Sequence, residues 1–320
     1  MKNNRALKKN SVIVHLMGGL GNQLFQIAAG LEKCESFSKL IVDSTYGSPR
    51  LTEKGKPEIS SFSLDYYEVI KEVKRCKFTL LLGQKVYGLA IRAIKKRSRV
   101  ERYLAQLIVS FLNYSRFGRL MPTFIPIDLG WDEKFKSFRN GYIVGYCQSY
   151  MYSSNSHSKL RKLRLENASN IFRALHEEII LDSPLILHLR RGDYRDENEF
   201  GLLDLDFYKR SYEKFSSEHS IRPCWLFSDS QDEFEIQYFK KELNISKFVD
   251  SNIVPTSEAF ELMRHGSGYI IGNSSFSWWA AMLAYDLDAP VFAPSPWFKL
   301  GESPSQLLPP HWITVESSFE

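Results

Sequence analysis

Little in this 320-residue sequence points to a stapled, secreted or membrane-spanning protein. There are four cysteines, Cys34, Cys76, Cys147 and Cys224, with no C-x-x-C pair and no Cys/His cluster at zinc-ligand spacing. That excludes a disulfide scaffold and a zinc finger and leaves the cysteines as expected buried thiols. No run approaches the ~20 apolar residues of a membrane helix. The richest, Tyr269 to Leu287, is interrupted by Asn273, Ser274, Ser275, Ser277 and Asp286. The basic start, Met1 to Asn10, lacks the apolar segment of a secretory signal, so a cytoplasmic protein is expected. A large charge excess is also missing: a net charge of +5 does not call for nucleic acid, and none is expected as a partner.

What is present is the composition of a packed protein, with 43% hydrophobic and 25% charged residues. The length is one at which a single core usually splits, so two domains are expected. Charge is unevenly placed. Between Lys71 and Arg102 stand eleven Lys/Arg against two acids, Glu72 and Glu101, interleaved with Phe78, Leu80, Leu82, Val86 and Ile94. Such a stretch suits an anionic membrane face, although a solvated helix with its apolar side in the core explains it equally well.

The chain opens with a buried-strand pattern, Val12 to Leu16, then a glycine turn, Gly18 to Asn22, a helical run from Gln23 to about Ser36 and a second strand, Leu40 to Asp43. This is the opening of a doubly wound α/β domain, whose first helix offers its N-terminus to a phosphate. Between Ser44 and Glu178 the signals blur. Helices are expected over 79–95 and 99–113, and a strand over Tyr142 to Tyr146. From Leu185 onward apolar strands and helical runs alternate to Val291–Ala293, the pattern of a second parallel sheet covered by helices. A polar helix from Asn167 to Ile180 marks the break, which gives an N-terminal domain over 1–170 and a C-terminal domain over 171–320.

Four segments carry candidate chemistry. Gly18, Gly19, Gly21 and Asn22 let backbone approach a ligand closely, yet Leu24 stands where a dinucleotide fingerprint wants its third small residue. The second segment, Ile186 to Tyr194, ends a strand where open α/β sheets bind ligands. Alternation puts His188 and Arg190 on one face and Arg191 on the other, and guanidinium suits phosphate. The plainer alternative pairs Arg190 or Arg191 with Asp193. The third, Trp225 to Asp229, ends another strand with Ser228 and Asp229. The fourth, Ile270 to Trp279, sets Asn273, Ser274, Ser275 and Phe276 at a helix N-terminus before a Trp pair expected in the core. Glu258 opens a further helix, where a dipole-complementing acid and a ligand contact are equally good readings.

Two D-x-D pairs have the spacing a metal-dependent transferase would use. Asp206, beside Asp204, is read as a helix N-cap, and Asp286 and Asp288 as residues of a helix-to-strand loop. No metal is expected.

Taken together these segments resemble one family, the α-1,2-fucosyltransferases of glycosyltransferase family 11. Its opening motif is matched by Gly18-Gly-Leu-Gly-Asn-Gln-Leu-Phe-Gln26, its histidine-x-arginine-arginine-glycine-aspartate-tyrosine motif by His188 to Tyr194, and its strand-end motif by Phe227-Ser-Asp229. Asn273 to Trp279 is similar to a fourth motif, and Val291 to Pro294 with Trp297-Phe298 to the closing segment. Gly272, Ser275 and Ser230 depart from the family's usual residues. The resemblance implies a GT-B-like fold of two Rossmann-like domains facing a cleft, and metal-independent transfer with inversion from GDP-fucose to the 2-hydroxyl of a terminal sugar, often galactose, in surface polysaccharide. No cofactor is implied.

On that resemblance Arg190 is the catalytic residue. Gly18, Gly19, Gly21, Asn22, His188, Arg191, Asp193, Ser228, Asp229, Glu258, Asn273, Ser274, Ser275 and Phe276 bind substrate. His188, Asp229 and Glu258 lie near the nucleoside, and Ser274, Ser275 and Phe276 near the diphosphate and ribose. The acceptor is a glycan or lipid-linked glycan, reached by peripheral contact of residues 71–102 with the inner membrane. Candidate bases are Asp196, Glu197 and Glu199, unless the departing phosphate takes the proton itself. Two other classes remain: a dinucleotide-dependent oxidoreductase using the first glycine loop, and a nucleic-acid or anionic-membrane binding module built on residues 71–102.

Overall fold

The computed structural model describes residues 12–34, 40–44, 49–70, 123–126, 129–230 and 232–320, with a few isolated positions between 71 and 122. Of the helices expected over 79–95 and 99–113 only isolated positions are described, Lys85 in the first and Val100, Tyr103, Leu104, Leu107, Ile108 and Phe111 in the second, all helical; most of the basic stretch 71–102 and Cys76 lie outside the described residues. The chain divides into two units. One comprises residues 1–60, 64–160 and 304–307, the other 61–63, 161–303 and 308–320. The division falls ahead of the helix expected to mark it: that helix, Asn170–Asp182, belongs to the second unit.

In the first unit, strands β1 (Val12–His15), β2 (Leu40–Asp43), β4 (Tyr67–Ile70), β5 (Thr123–Phe124) and β6 (Gly141–Ile143) form one parallel sheet in the order β4-β2-β1-β6-β5. A short antiparallel pair, β3 (Phe62–Ser63) with β7 (Arg164–Leu165), belongs to the second unit. Helix α1 (Leu20–Lys33) lies on β1 and β2. Its contact is close because Gly30 has no Cβ: one built there would meet a Val14 methyl and lie within 2.9 Å of both Leu40 methyls. Leu24, Phe25, Ile27, Ala28 and Leu31 complete the buried side of this helix. A short helix α2 (His157–Leu160) closes the unit.

The second unit is built on six parallel strands: β8 (Leu185–Leu189), β9 (Cys224–Ser228), β10 (Ile245–Asp250), β11 (Gly268–Ile270), β12 (Val291–Ser295) and β13 (Ile313–Glu316). Between them run α3 (Asn170–Asp182, preceding β8), α4 (Leu205–Glu218), α5 (Glu233–Glu242), α6 (Thr256–Met263) and α7 (Ser275–Met282). The sheet order β10-β9-β8-β11-β12-β13 is the 3-2-1-4-5-6 order of a doubly wound domain, and its direction reverses between β8 and β11. Leu185, Leu187, Leu226 and Ile270 from the sheet pack with Phe207, Phe215 and Phe239 from the helices in one core.

Two doubly wound α/β units in sequence meet the fold expectation. Cys147 and Cys224 are buried thiols, whereas Cys34 is half-buried. Trp278 and Trp279 are both fully buried, as the core reading requires. The acid that caps α4 is Asp204, whose carboxylate accepts from the Phe207 amide at 3.0 Å, and not Asp206, which lies in the first turn. Asp286 accepts from the Asp288 amide, a loop contact as expected. Among the described residues no helix is long and apolar enough to cross a membrane.

Candidate active site

In an open α/β sheet, the loops leaving the carboxyl ends of the two strands at the reversal point splay apart and leave a crevice. In the second unit those loops are Arg190 to Asp196, after β8, and Ile271 to Ser274, after β11. Tyr194 joins them by donating its hydroxyl to the Asn273 carbonyl at 3.1 Å. Every segment of the second unit that sequence singles out therefore falls at or beside one point, except the α6 acid.

His188 is 4% exposed, and its buried Nδ1 has no hydrogen-bond partner. Its ring lies 5.7 Å from that of Phe276 at the start of α7. Gly272 faces it across the reversal point: a Cβ there would meet the His188 carbonyl at 3.0 Å and sit 3.6 Å from Nδ1, which accounts for glycine at this position. Burial lowers the imidazole pKa to about 4, helped by Arg190 and opposed by Asp229. His188 is thus a neutral hydrogen-bonding group at neutral pH and adds no charge for a phosphate.

The arginine pair divides as strand alternation predicts. Arg190, 18% exposed, is ion-paired with both Asp229 and Asp193 and lies over the Tyr194 ring. Arg191 has no exposed surface. Its Nε donates to Glu235 at 2.5 Å and its two terminal nitrogens to the Leu203 carbonyl and Glu320, each at 2.8 Å. Of the two pairings open to Asp193 the structure has that with Arg190. The expectation that changes concerns Arg191, a buried strut whose three kinds of donor are already occupied. Its backbone amide nonetheless reaches the site, donating to Asp229 at 2.7 Å.

Several other expected ligand contacts serve the framework. Ser228 is fully buried and donates to the Leu189 carbonyl at 2.8 Å, so its hydroxyl ties β9 to β8. Asn273 donates its amide to the carbonyls of Phe200 and Gly201. Glu258 accepts from the backbone and hydroxyl of Ser169, both at 2.7 Å, clamping the N-cap of α3. The acid at the start of α6 is thus tied to another helix as well as to its own dipole. Ser274 caps α7 through the Phe276 amide, while Ser275 and Phe276 remain half-buried at the mouth of the helix. Glu197 and Glu199 are half-buried in the segment after the Gly192–Asp196 turn.

In the first unit, Gly18 adopts φ +71°, where a side chain would also press on Asn22, so the turn requires glycine. The motif's two glutamines hold this loop. Gln23 donates to the carbonyls of Gly18 and Arg50 and accepts from the Ile59 amide, and Gln26 pairs with both backbone groups of Met17. Asn22 accepts from Gln148, beyond β6. The Leu20 amide donates to the buried carboxylate of Glu58 at 2.6 Å. The phosphate expected at the N-terminus of α1 therefore meets a resident carboxylate. That removes the support for a pyrophosphate-binding oxidoreductase loop.

Sequence reading missed Glu235, Ser169 and Glu58. Asp232 and Glu235 do have capping-box spacing, and Asp232 accepts from the Glu235 amide at 3.1 Å. The Glu235 carboxylate, however, turns away to Arg191, 44 residues distant in sequence. No local pattern carries such a pairing.

A neutral buried imidazole, a guanidinium balanced by two carboxylates and a capped helix terminus meet at one reversal point, where open α/β sheets bind their ligands. Residues 131–295, just over half the chain, match the profile of Glycosyl transferase family 11, and the chain belongs to that family. It is a glycosyltransferase. Over 321 residues it is 27% identical to an alpha-1,2-colitosyltransferase of Escherichia coli, covering 95% of this chain and 99% of the relative. It is 26% identical to the O-antigen biosynthesis glycosyltransferase WbnK of Escherichia coli, covering 94% and 99%. Among solved structures, a family 9 glycosyl transferase from Veillonella parvula superimposes with a TM-score of 0.45 at 15% identity, over 99% of this chain and 90% of that one. POFUT1 in complex with GDP-fucose superimposes with 0.46 at 15% identity, over 90% and 99%.

The two arginines should separate experimentally. Arg190→Ala is expected to lower turnover by about 10²–10³, roughly 3–4 kcal/mol, by analogy with oxyanion-stabilising donors. Its effect on melting should be smaller than that of Arg191→Ala, because Arg190 and Asp193 keep contact with water and Arg191 has none. Arg191→Ala leaves Glu235 facing an empty site and should cost about 3 kcal/mol of stability or more. Steady-state kinetics beside thermal melts distinguish the two.

Stability should also fall in acid. His188 and His265 both have folded pKa values near 4, from burial first and, for His265, also from the charge of His176. Unfolded histidine binds its proton near pH 6.5, so between 6.5 and 4 the unfolded chain holds more protons than the folded one. The contribution is complete above pH 6.5 and declines as the pH falls to about 4. Melts at constant ionic strength check it: a melting temperature independent of pH across that window contradicts the assignment.

Proposed function

We propose that this glycosyltransferase moves L-fucose from GDP-fucose, with inversion, to the 2-hydroxyl of a terminal sugar, in synthesis of a surface polysaccharide such as O-antigen. The observation carrying this reading is the pairing, at one reversal point, of the unpartnered His188 Nδ1 with the Arg190 guanidinium. A nucleotide diphosphate needs both: a directional neutral contact for the nucleoside and fixed positive charge for the leaving group. As the glycosidic bond breaks, charge grows on the β-phosphate. A guanidinium aimed there stabilises the transition state more than the bound donor, and that difference lowers the barrier. Asp229 orients Arg190, and exposed Asp193 yields its place to the diphosphate. Ser275 and Phe276 receive the ribose and diphosphate at the start of α7. In this reading no metal takes part, since Arg190 and the helix terminus supply the positive charge. The loop Gly18 to Asn22 faces the acceptor.

A second reading concerns the sugar alone. The colitosyltransferase among the relatives favours GDP-colitose, which differs from GDP-fucose by one hydroxyl. Calorimetry with GDP, UDP and CMP tests the nucleotide, and turnover with the two GDP-sugars in the presence of EDTA tests donor and metal together. GDP should bind most tightly, GDP-fucose should be preferred, and turnover should survive the chelator. Tighter binding of UDP, preference for GDP-colitose, or activity restored only by Mg²⁺ or Mn²⁺ would each remove the corresponding part.

Contact with the inner membrane through residues 71–102 belongs to the same proposal, since clustered cations beside apolar residues attract anionic bilayers. In liposome flotation, recovery should rise with anionic lipid. Equal recovery with neutral vesicles sinks the idea.

A further inference from the structure

Asp229 and Arg190 come from loops after different strands, β9 and β8, and something must keep those loops in register while a charged substrate enters and leaves. The geometry points to Glu235, on the first turn of α5, as a positioning residue for the transfer reaction. Its role concerns the same site as the proposed function and rests on the reading of Arg190 as the group that faces the diphosphate.

The two oxygens of Glu235 serve the two loops. Oε1 accepts from Arg191 Nε at 2.5 Å, and Arg191 directly follows Arg190 after β8. Oε2 accepts from the Ser230 hydroxyl at 2.6 Å, and Ser230 directly follows Asp229 after β9. The same oxygen accepts from Arg195 at 3.1 Å, at the far side of the Gly192–Asp196 turn. Asp229 is thus flanked by two residues tied to one carboxylate, one of which also donates its backbone amide to Asp229. Ser230 extends the stitch inward, because its amide donates to Ser228 and the Ser228 hydroxyl donates to the end of β8. A carboxylate at position 230 would face that of Glu235, whereas the Ser230 hydroxyl donates to it.

Burial makes the arrangement rigid. Arg191 is fully buried and its other carboxylate, Glu320, is 47% exposed, while Glu235 is 14% exposed. Glu235 is therefore the better desolvated of the two counter-charges, and a charge-assisted hydrogen bond weakens less where water is excluded. Glu235 touches no reacting atom. It acts by holding Arg190 and Asp229 where the leaving group's charge develops, so its loss should appear in the chemical step more than in ground-state binding.

The test is Glu235→Gln and Glu235→Asp in the full chain, with thermal melts, GDP affinity by calorimetry, and kcat and donor KM measured well below the melting temperature. Both variants should lose about tenfold or more in kcat, while GDP affinity and donor KM stay within about threefold. The aspartate variant keeps the charge but not the reach, so it should not rescue. If Glu235→Gln fails to fold, Arg191→Met with Glu235→Met removes both buried charges together, a replacement that folds tolerate far better than a broken pair. It should fold and show the same kcat loss. Lower melting with unchanged kcat per folded molecule overturns the proposal, as does full rescue by aspartate. A wild-type protein that binds another nucleotide and not GDP overturns the donor reading alone, since the same variants are then scored with that nucleotide.

Discussion

A guanidinium with none of its surface in water must find acceptors at each of its nitrogens, and the second unit is arranged around that requirement at Arg191. Glu235 comes from α5, the Leu203 carbonyl from the approach to α4, and Glu320 from the segment beyond β13. Leu203 and Phe319 form a bridge, and the Asp204 amide donates to Ser318, so the segment carrying Glu320 is laid against the approach to α4. Fixing Arg191 fixes the backbone on either side of it. One neighbour is Arg190; the other, Gly192, lies so close to the Asp229 carboxylate that a side chain would collide with it. The exposed, functional arginine thus inherits its position from the buried one.

The same division of labour runs through the motifs. Of the residues that look functional in sequence, few have side chains at the reversal point that are not spent on holding backbone: His188, Arg190, Asp193, Asp229, Ser275 and Phe276. Ser228, Asn273, Glu258, Gln23 and Gln26 hold backbone in place. A polar residue at a strand end is selected both by ligands and by the unpaired backbone groups that strand ends create, and the second demand is met more often here.

How much was legible in the sequence follows from how local each signal is. Strands such as Leu185–Leu189 and Cys224–Ser228 are buried on both faces and read as short continuous apolar runs between helices. β13 escaped notice because Ile313–Glu316 is only four residues long, half of them exposed, and follows a proline-rich segment. The choice of Asp206 over Asp204 as a cap erred by half a turn, since two acids two residues apart both precede the apolar face of α4. The crevice itself was foreseeable, because strand ends and glycine turns announce it. The partners of Arg191 were not, since Glu235 and Glu320 lie 44 and 129 residues away in sequence and nothing short of the fold brings them together.

The carboxylate of Glu58 against the Leu20 amide has a bearing on how the two reversal points differ. A helix that begins on a parallel strand's glycine turn presents partial positive charge, and in the first unit the protein neutralises it with its own anion. Entry of a phosphate there would first require displacing a buried acid from that amide. The corresponding terminus in the second unit, at Ser274, is capped by a neutral hydroxyl and keeps its field. The first unit thus begins its helix against a resident anion where the second begins with a neutral cap.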